Sequence, residues 1–330
     1  MQNVKLIDRY NRHLSYLRLS ITDRCNLQCL YCAPKDLIPR LSHEEVLRYE
    51  EILRIVKIGI GLGISKVRVT GGEPLVRRGV YEFLSELTRI DGLSDVSLTT
   101  NGVLLKDNIE KIYSAGISRI NISLDTLSRN KFKEITGRDA FDKVWQGIET
   151  AQAMGFKPIK LNIVALNGIN EDELIDMAGL SFSYPFHIRF IEYMPIGESR
   201  MGNGPLLLAP EIKNRISVLG DLRPVRNSEN DGPAKRYQFE GAKGEIGFIH
   251  ALSQHFCNQC NRLRLTAGGQ LRPCLLSDHQ EDLKSPLRMG CSDQQLAEVF
   301  LKAVCHKPSD HNLAGHKATR VCGQMRAIGG

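Results

Sequence analysis

Six of the nine cysteines fall into two tight groups, and both groups have spacings that are found in metal sites. Cys25, Cys29 and Cys32 form the first group, with the pattern C-x3-C-x2-C. Three thiolates can hold three irons of a 4Fe-4S cluster and leave the fourth iron open to a ligand. Structural zinc more often uses paired C-x2-C knuckles and four ligands, and no fourth ligand is close in the sequence. The spacing therefore favours a cluster over zinc.

The second group, Cys257, Cys260 and Cys274, is less decisive by itself. Its spacing resembles three quarters of a zinc ribbon, for which Cys291 could supply the fourth ligand. Spacing alone leaves zinc and an iron-sulfur cluster equally supported. Three cysteines belong to neither pattern, and their role is not predicted: Cys291, Cys305 and Cys322.

The elements that must position the first group are short β-like runs that alternate with helix-period runs between residues 15 and 195. This alternation is typical of a parallel sheet or barrel. The first helix is predicted to begin at a capping box formed by Ser42 and Glu45 and to bury a face that runs from Val46 to Ile60. Strands are predicted near Leu17, Val67, Val96, Ile120, Leu161 and Ile188.

The predicted strands have one polar side, whereas parallel strands covered on both faces are apolar throughout. Leu17, Leu19 and Ile21, for example, alternate with polar residues. The simplest interpretation is a barrel-like sheet that is apolar towards its helices and encloses a polar ligand. Four cations on the polar side predict that this ligand is anionic: Arg18, Arg68, Arg119 and Lys160.

Composition and charge narrow the class of protein. The 330 residues carry a net charge of +7 that is spread along the chain, and only 6% of residues are aromatic, which disfavours nucleic acid as the partner. The sequence contains neither a membrane-length apolar run nor a secretory leader, so we expect a cytoplasmic protein that does not bind a membrane. The polar segment from Arg226 to Lys235 predicts a boundary between a barrel domain, 1–225, and a C-terminal region, 226–330.

Two short motifs resemble those of the radical S-adenosylmethionine (SAM) superfamily. Residues 25–32 read CNLQCLYC and residues 70–74 read TGGEP, which is similar to the superfamily's glycine-rich SAM motif. The resemblance implies an incomplete (β/α) barrel with a C-terminal cluster-binding extension. It also implies a 4Fe-4S cluster on the first cysteine group, with SAM bound at the open iron and cleaved to a 5′-deoxyadenosyl radical. The SAM site is expected to be lined by Tyr31, Gly72, Glu73, Ser123 and Met194.

The second cysteine group lies in a segment that resembles the GTP 3′,8-cyclases of molybdenum cofactor biosynthesis (the MoaA family). Residues 256–266 read FCNQCNRLRLT, residues 271–275 follow the same pattern, and the chain closes on Gly329-Gly330. This resemblance breaks the tie between zinc and a cluster, and it implies a second 4Fe-4S cluster whose open iron faces the guanine base. It also implies GTP contacts from Arg18, Arg68, Thr99, Lys160, Arg262 and Arg264.

The family resemblance further implies partners and a functional tail. The expected partners are GTP as substrate, a cyclic pyranopterin monophosphate synthase downstream, a reductant protein and a second copy of the chain in a homodimer. Gly329-Gly330 is expected to reach the active site. Gly268 departs from the family pattern, in which an acidic residue is usual. His311 and His316 could form an unrelated metal site, although solvated surface histidines are more common.

A related possibility is a peptide-modifying radical SAM enzyme, because such enzymes can also carry an auxiliary cluster on a C-terminal extension. A peptide substrate, however, would not require converging cations. The cations therefore favour a nucleotide.

Overall fold

The structure is a computed structural model, which describes residues 5–32, 40–197, 201, 205–226, 232–311, 321 and 324–329. Cys322, His316 and Gly330 lie outside these residues.

One mixed sheet contains all twelve strands of the described chain, and helices follow most of its parallel strands. The strands are β1 (Tyr16–Ser20), β2 (Lys66–Thr70), β3 (Asp95–Thr100), β4 (Ile120–Ser123), β5 (Ile159–Ala165), β6 (His187–Glu192), β7 (Leu222–Pro224), β8 (Lys235–Phe239), β9 (Glu245–Ile249), β10 (Arg262–Leu265), β11 (Gln270–Arg272) and β12 (Glu281–Asp282). The helices are α1 (Tyr49–Gly61), α2 (Val80–Thr88), α3 (Ile109–Ser114), α4 (Arg129–Thr136), α5 (Phe141–Ala153), α6 (Leu174–Ser183), α7 (Ala209–Ile216), α8 (Lys284–Arg288), α9 (Asp293–Cys305) and α10 (Met325–Ile328).

The strand order is β12-β11-β10-β1-β2-β3-β4-β5-β6-β9-β8-β7. Strands β1 to β6 are parallel to their neighbours, β10 adds to β1 in parallel, and β9 adds to β6 in parallel. The two ends of the sheet do not pair with each other. The prediction of an incomplete barrel with a C-terminal extension is therefore confirmed, and the extension contributes strands to both edges of the barrel.

Alternation correctly predicted the first six strands, because the apolar side chains of each strand pack against the surrounding helices. Leu17, Leu19, Val67 and Val69 are completely buried in this core. The residues between them point to the other side of the sheet. The polar lumen that the sequence predicted is therefore present in the fold.

The start of the first helix was predicted too early. Ser42 and Glu45 do form a local turn, but α1 begins at Tyr49, with Arg48 and Glu51 as its capping box. The intervening chain is held by tertiary contacts, because the backbone N–H of Leu47 donates to the Ala267 carbonyl over 2.8 Å. Within α1, Val56 of the predicted face is completely buried and Leu53 and Ile60 are partly buried, whereas Ile52 and Ile55, which the pattern did not include, are also completely buried.

The predicted boundary at residues 225 and 226, between a barrel domain and a C-terminal region, stays a prediction.

Among the described residues, no helix combines the length and apolar character needed to cross a bilayer.

Candidate active site

Strand register places three arginines side by side on the lumen face. Arg18 of β1 is the register partner of Arg68 on β2 and of Arg264 on β10. The layer nearer the amino ends of the strands contains Tyr16, which is paired with Arg262 and Lys66. Two successive layers of the lumen therefore carry a dense group of cations.

Arg68 and Arg264 are buried and Arg18 and Arg262 are half-buried, and few charges compensate these arginines. Among the described residues, no carboxylate lies within 4.0 Å of the guanidinium of Arg68, Arg262 or Arg264. Burial and the charge of Arg262 lower the pKa of Arg264 to about 10, and burial together with Arg264 lowers the pKa of Arg18 well below its usual value. An anion placed among these side chains would relieve their desolvation and mutual repulsion.

Further polar atoms on the lumen face also need a partner. Within the described chain, Thr99 Oγ1, Asn162 Oδ1 and Arg189 Nε are buried and lack a hydrogen-bond partner. Arg189 donates instead from Nη2 to Asn121 Oδ1 over 2.5 Å, and burial followed by the charge of Arg68 lowers its pKa to about 9. Buried polar groups are usually satisfied, so three orphaned atoms in one lumen indicate a polar ligand.

One large cavity connects this lumen to both cysteine groups. It has about 1890 Å³ of space, part of it in the open mouth. Fifteen of the seventeen predicted site residues line it: Arg18, Cys25, Cys29, Tyr31, Cys32, Arg68, Gly72, Thr99, Ser123, Met194, Cys257, Cys260, Arg262, Arg264 and Cys274. Glu73 and Lys160 lie outside this lining.

The two thiol groups fit iron-sulfur clusters better than single zinc ions. Tetrahedral zinc with bonds to sulfur of about 2.3 Å needs sulfurs roughly 3.8 Å apart. Within the described chain, neither cysteine triplet brings its three sulfur atoms within 4.8 Å of one another. Burial raises the pKa of Cys29 well above its usual value and that of Cys32 to about 12, so a bound metal centre is needed to hold these groups as thiolates.

The histidine that the sequence left at the surface is in fact buried beside the second group. His311 is 7% exposed, and its Nε2 lies 2.7 Å from the Ala251 carbonyl oxygen. The nearest ligand atoms of His255, Cys257 and His311 lie within 4.8 Å of one another. The expectation of a solvated His311 was therefore wrong.

A second cluster of metal-ligating side chains lies away from the cavity. His279 and His306 approach the same oxygen of Glu281 at 2.9 and 3.1 Å, and Lys302 pairs with its other oxygen at 2.8 Å. Since both carboxylate oxygens are already engaged by groups of the chain, we interpret this cluster as an ionic contact between β12 and the end of α9.

The glycine-rich turn after β2 packs directly on the loop that leads to Cys25. The backbone N–H of Gly72 donates to the Thr22 carbonyl over 2.7 Å. A Cβ atom added at Gly72 would come within 2.3 Å of the Arg24 carbonyl oxygen, far inside van der Waals contact. The absence of a side chain is therefore required by the chain itself, in addition to any ligand.

Gly72→Ala should separate this turn from the first cysteine loop, because backbone on both sides of the contact has little room to move. We expect iron content of the first group and SAM binding to fall together, as measured by iron analysis and equilibrium dialysis with SAM. Gly61→Ala is the matched control, since Gly61 has no atom within 4 Å of the added Cβ. Normal SAM binding by Gly72→Ala would contradict this explanation.

Glu73 uses its carboxylate to hold the end of β3. It accepts hydrogen bonds from Leu75 N at 3.0 Å, Thr100 Oγ1 at 2.8 Å and Asn101 N at 2.7 Å, and it is completely buried. Burial raises its pKa to about 7. Its direct contact with SAM stays a prediction, because in this structure both oxygens already accept hydrogen bonds from the chain.

Tyr31 is oriented by Asp125, a residue that the sequence did not single out. The phenol of Tyr31 donates to Asp125 Oδ2 over 2.7 Å, and Val164 N donates to Asp125 Oδ1 over 2.8 Å. Burial raises the pKa of Asp125 to about 6. Asn101 similarly supports the first cysteine group, because its amide lies 3.6 Å from Cys25 Sγ.

The tail reaches the lumen. The Gly329 carbonyl accepts a 2.8 Å hydrogen bond from Arg264 Nη1, and the backbone N–H of Arg326 donates to the Cys32 thiol. Ile328 anchors α10 in a small apolar cluster with Ile196. The same short helix therefore contacts both the first cysteine group and the arginine layer.

Neither Lys160 nor Arg119 lines the large cavity. Lys160 lines a small adjoining pocket with His187, Arg189 and Glu245, at the amino ends of their strands. Arg119 lies on the predicted face of the sheet, two residues before Asn121, but it pairs with Asp95 at 3.2 Å and does not line the large cavity. Lys160 as a GTP contact stays a prediction.

Sequence reasoning missed Asn162 and Arg189, although the signal was present. Both continue the polar alternation of their strands, and they are register partners across β5 and β6. Arg326 in α10 also lines the cavity, beside Cys32.

Comparison with known proteins agrees with this geometry. Residues 19–180 match the Radical SAM superfamily and residues 186–313 match the Molybdenum Cofactor Synthesis C family. The fold resembles Streptococcus suis SuiB bound to the precursor peptide SuiA, with a TM-score of 0.62, 15% identity and coverage of 97% of this chain and 77% of that one. It also resembles anSMEcpe with bound AdoMet, with a TM-score of 0.58, 17% identity and coverage of 90% and 81%. The fold and the site define a radical SAM protein.

Relatives that match nearly the whole chain define a narrower family within the radical SAM proteins. A GTP 3′,8-cyclase of Moorella thermoacetica is 46% identical over 319 residues, which cover 96% of this chain and 99% of the relative. A GTP 3′,8-cyclase of Thermodesulfovibrio yellowstonii is 46% identical over 325 residues, which cover 98% and 99%. The chain belongs to the GTP 3′,8-cyclase family.

Proposed function

We propose that the protein converts GTP to 3′,8-cyclo-7,8-dihydro-GTP, an early step of molybdenum cofactor biosynthesis. The observation that carries this proposal is that both cysteine groups and a layer of arginines line one large cavity of the described chain. Full-length identity with GTP 3′,8-cyclases supports it.

The thiols of Cys25, Cys29 and Cys32 would hold the cluster that binds SAM, and those of Cys257, Cys260 and Cys274 would hold the second cluster. When bound, SAM and the first cluster would supply the radical chemistry for removing a hydrogen atom from C3′ of the ribose, with the hydrogen passing to 5′-deoxyadenosine. Bond formation between C3′ and C8 would leave a purine radical, which would need one electron from the reductant and one proton to become the 7,8-dihydro product. The residues of the chain fix the distance between these groups and exclude water. Correct positioning of reacting atoms can lower a barrier by roughly 7 to 11 kcal/mol in favourable cases.

The arginine layers would bind the triphosphate. Arg18, Arg68 and Arg264 lie at one level of the barrel, and Arg262 lies one level nearer to the amino ends. Guanidinium groups can grip phosphate oxygens through paired hydrogen bonds, and their mutual repulsion in the free protein makes an anionic occupant more favourable.

The neighbouring Thr99, Asn162 and Arg189 would complete this nucleotide site. Each has a buried polar atom that lacks a partner in the described structure. The ribose and base of GTP offer hydroxyl, amide and ring-nitrogen partners for such atoms.

The free thiols and the expected product indicate the environment and the partners that we propose for the protein. All eight described cysteines are free, which suits a reducing, cytoplasmic environment. A cyclised triphosphate has to be taken up by a further enzyme, which we propose to be a cyclic pyranopterin monophosphate synthase, and SAM cleavage needs electrons from a reductant protein. A homodimer stays part of the proposal.

The function is tested by anaerobic reconstitution. Protein incubated with SAM, GTP and dithionite should form the cyclised nucleotide, and it should contain about eight irons per chain because each group is expected to hold four. Consumption of SAM without any change in GTP, or stoichiometric zinc on the second group, would overturn the proposal.

Removing one lumen arginine should weaken GTP binding more than guanosine binding. A charge-assisted hydrogen bond to a buried anion contributes about 1.5 to 3 kcal/mol, so Arg18→Ala or Arg189→Ala should weaken GTP binding about 10- to 100-fold in a calorimetric titration. Arg119→Ala is the control, because that side chain pairs with Asp95. Equal losses for GTP and guanosine would show that these residues do not hold phosphate.

A peptide substrate is less well supported. SuiB and anSMEcpe share the fold at 15% and 17% identity, which is evidence of architecture alone. Failure to bind GTP would reopen this alternative.

A further inference from the structure

Lys307 places a buried ammonium group beside the second cysteine group. It follows the C-terminal end of α9, and the residue is 2% exposed. Its Nζ donates to the Pro273 carbonyl over 2.7 Å and to the Arg262 carbonyl over 2.8 Å, and it lies 3.5 Å from Cys260 Sγ. The three N–H donors of the ammonium therefore have three separate acceptors.

These acceptors belong to the two arms of the chain that carry the second cysteine group. Arg262 begins β10, two residues after Cys260, whereas Pro273 follows β11 and directly precedes Cys274. Lys307 therefore bridges the two arms through one ammonium group. One side chain can thus set the spacing of Cys260 and Cys274.

The charge of Lys307 is not matched by an acidic residue. Among the described residues, no carboxylate lies within 4.0 Å of its Nζ, and two of its partners are neutral carbonyl groups. A buried ammonium is costly without an anionic partner. A centre held by three thiolates has the negative charge that is missing here.

The chain around Lys307 is fixed by independent contacts. Arg12 Nη2 donates to the Pro308 carbonyl and its Nη1 donates to the Cys257 carbonyl, both over 2.6 Å. The backbone N–H of His311 donates to the Cys257 thiol. Arg12 itself pairs with Asp8 at 2.6 Å, so its charge is already balanced, unlike that of Lys307.

We propose that Lys307 is the counter-charge of the second cluster, and that it raises the cluster's reduction potential through its contact with Cys260. Reduction adds negative charge to a centre that three thiolates have already made negative, and a nearby ammonium stabilises the more negative state. Lys307 is therefore a positioning and tuning residue, because it acts on the centre through a ligand. This inference rests on the proposed function only in requiring that the second group holds a cluster.

The test isolates the second cluster in the full-length chain. A Cys25→Ala, Cys29→Ala, Cys32→Ala background lacks the first group, so its iron and its electron paramagnetic resonance signal report on the second cluster. Lys307→Met and Lys307→Arg are added to this background, and the potential is measured by titration with dithionite. Lys302→Met is the matched control, because Lys302 lies in the preceding helix α9, is 64% exposed and pairs with Glu281.

Lys307→Met should shift the potential to a more negative value, whereas Lys307→Arg and Lys302→Met should stay near that of the background. An unchanged potential in Lys307→Met would overturn the inference. If Lys307→Met fails to bind iron while Lys307→Arg binds it at the background potential, the need for the charge is supported. If both fail to bind iron while they remain folded, the geometry of lysine and not its charge is required, and the tuning role is overturned.

These outcomes are separate from failure of the proposed function. A background protein without iron, or with zinc in its place, would remove the second cluster itself. A background protein with about four irons and an unaffected Lys307→Met variant would leave the cyclase proposal intact.

Discussion

Replacing Cys257, Cys260 or Cys274 with alanine is expected to abolish the cyclised product while SAM cleavage continues. The first cysteine group and the glycine-rich turn lie in the segments that follow β1 and β2, so their ability to bind and cleave SAM does not depend on ligands from the C-terminal extension. GTP would lose the metal centre that positions its base. Iron should fall from about eight to about four per chain.

Variants of the first cysteine group should behave differently from those of the second, because they should lose both activities. Cys25→Ala, Cys29→Ala or Cys32→Ala should remove SAM cleavage and product together, and iron should again fall to about four. Cys305→Ala is the control, because that thiol is exposed and lies outside both groups. Both activities are measured by chromatography of 5′-deoxyadenosine and the cyclised nucleotide. Product formation by any of the six variants would contradict the assignment of ligands.

Deleting Gly329 and Gly330 is expected to impair cyclisation about 10- to 100-fold, with iron content and melting temperature unchanged. The estimate follows from losing the hydrogen bond between Arg264 and the Gly329 carbonyl, since a bond to a charged group contributes about 1.5 to 3 kcal/mol. Stability should not change, because Ile328 still anchors α10. Product per minute from the fully reconstituted variant is the measurement.

Gly329→Ala tests the same feature without shortening the chain. Gly329 has a φ of 75°, and an added Cβ would lie 3.0 Å from Ser20 Cβ. Gly155→Ala is a matched control, because Gly155 also has a positive φ, of 82°, but its added Cβ meets no atom within 4 Å. A tail-deleted enzyme with wild-type turnover would show that the glycines are only a flexible end.

The sequence predicted which residues face the lumen better than it predicted how deep each of them lies in the barrel. Alternation placed Arg18 and Arg68 in the lumen because a strand has only two faces, so a polar residue between buried apolar ones must face the interior of the barrel. Alternation does not show how far along the barrel axis a residue lies. For this reason Lys160, two residues before Asn162 on the same face, was assigned to the main cavity, although it lines the adjoining pocket.

The sequence could not predict which residues far apart in the chain contact each other. The role of Glu73 follows from Thr100 and Asn101, which approach it only when β2 and β3 pair. Lys307 had no local motif, because its three acceptors lie at residues 260, 262 and 273. The start of α1 was missed for the same reason, since Ala267 holds Leu47 outside the helix.

The pairing of β1 with β10 also determines the order in which the protein can be completed during translation. β1 is the first strand to leave the ribosome, but one of its two neighbours is formed by residues 262–265. Nascent chains fold from their N-terminal parts, so one edge of β1 stays uncovered until residues 262–265 have been made. The first cysteine loop is complete by residue 32, whereas α10, which contacts Cys32, begins only at Met325. The thiols of the first group are therefore made well before the helix that packs beside them, and we expect them to be more accessible in the nascent chain than in the folded protein.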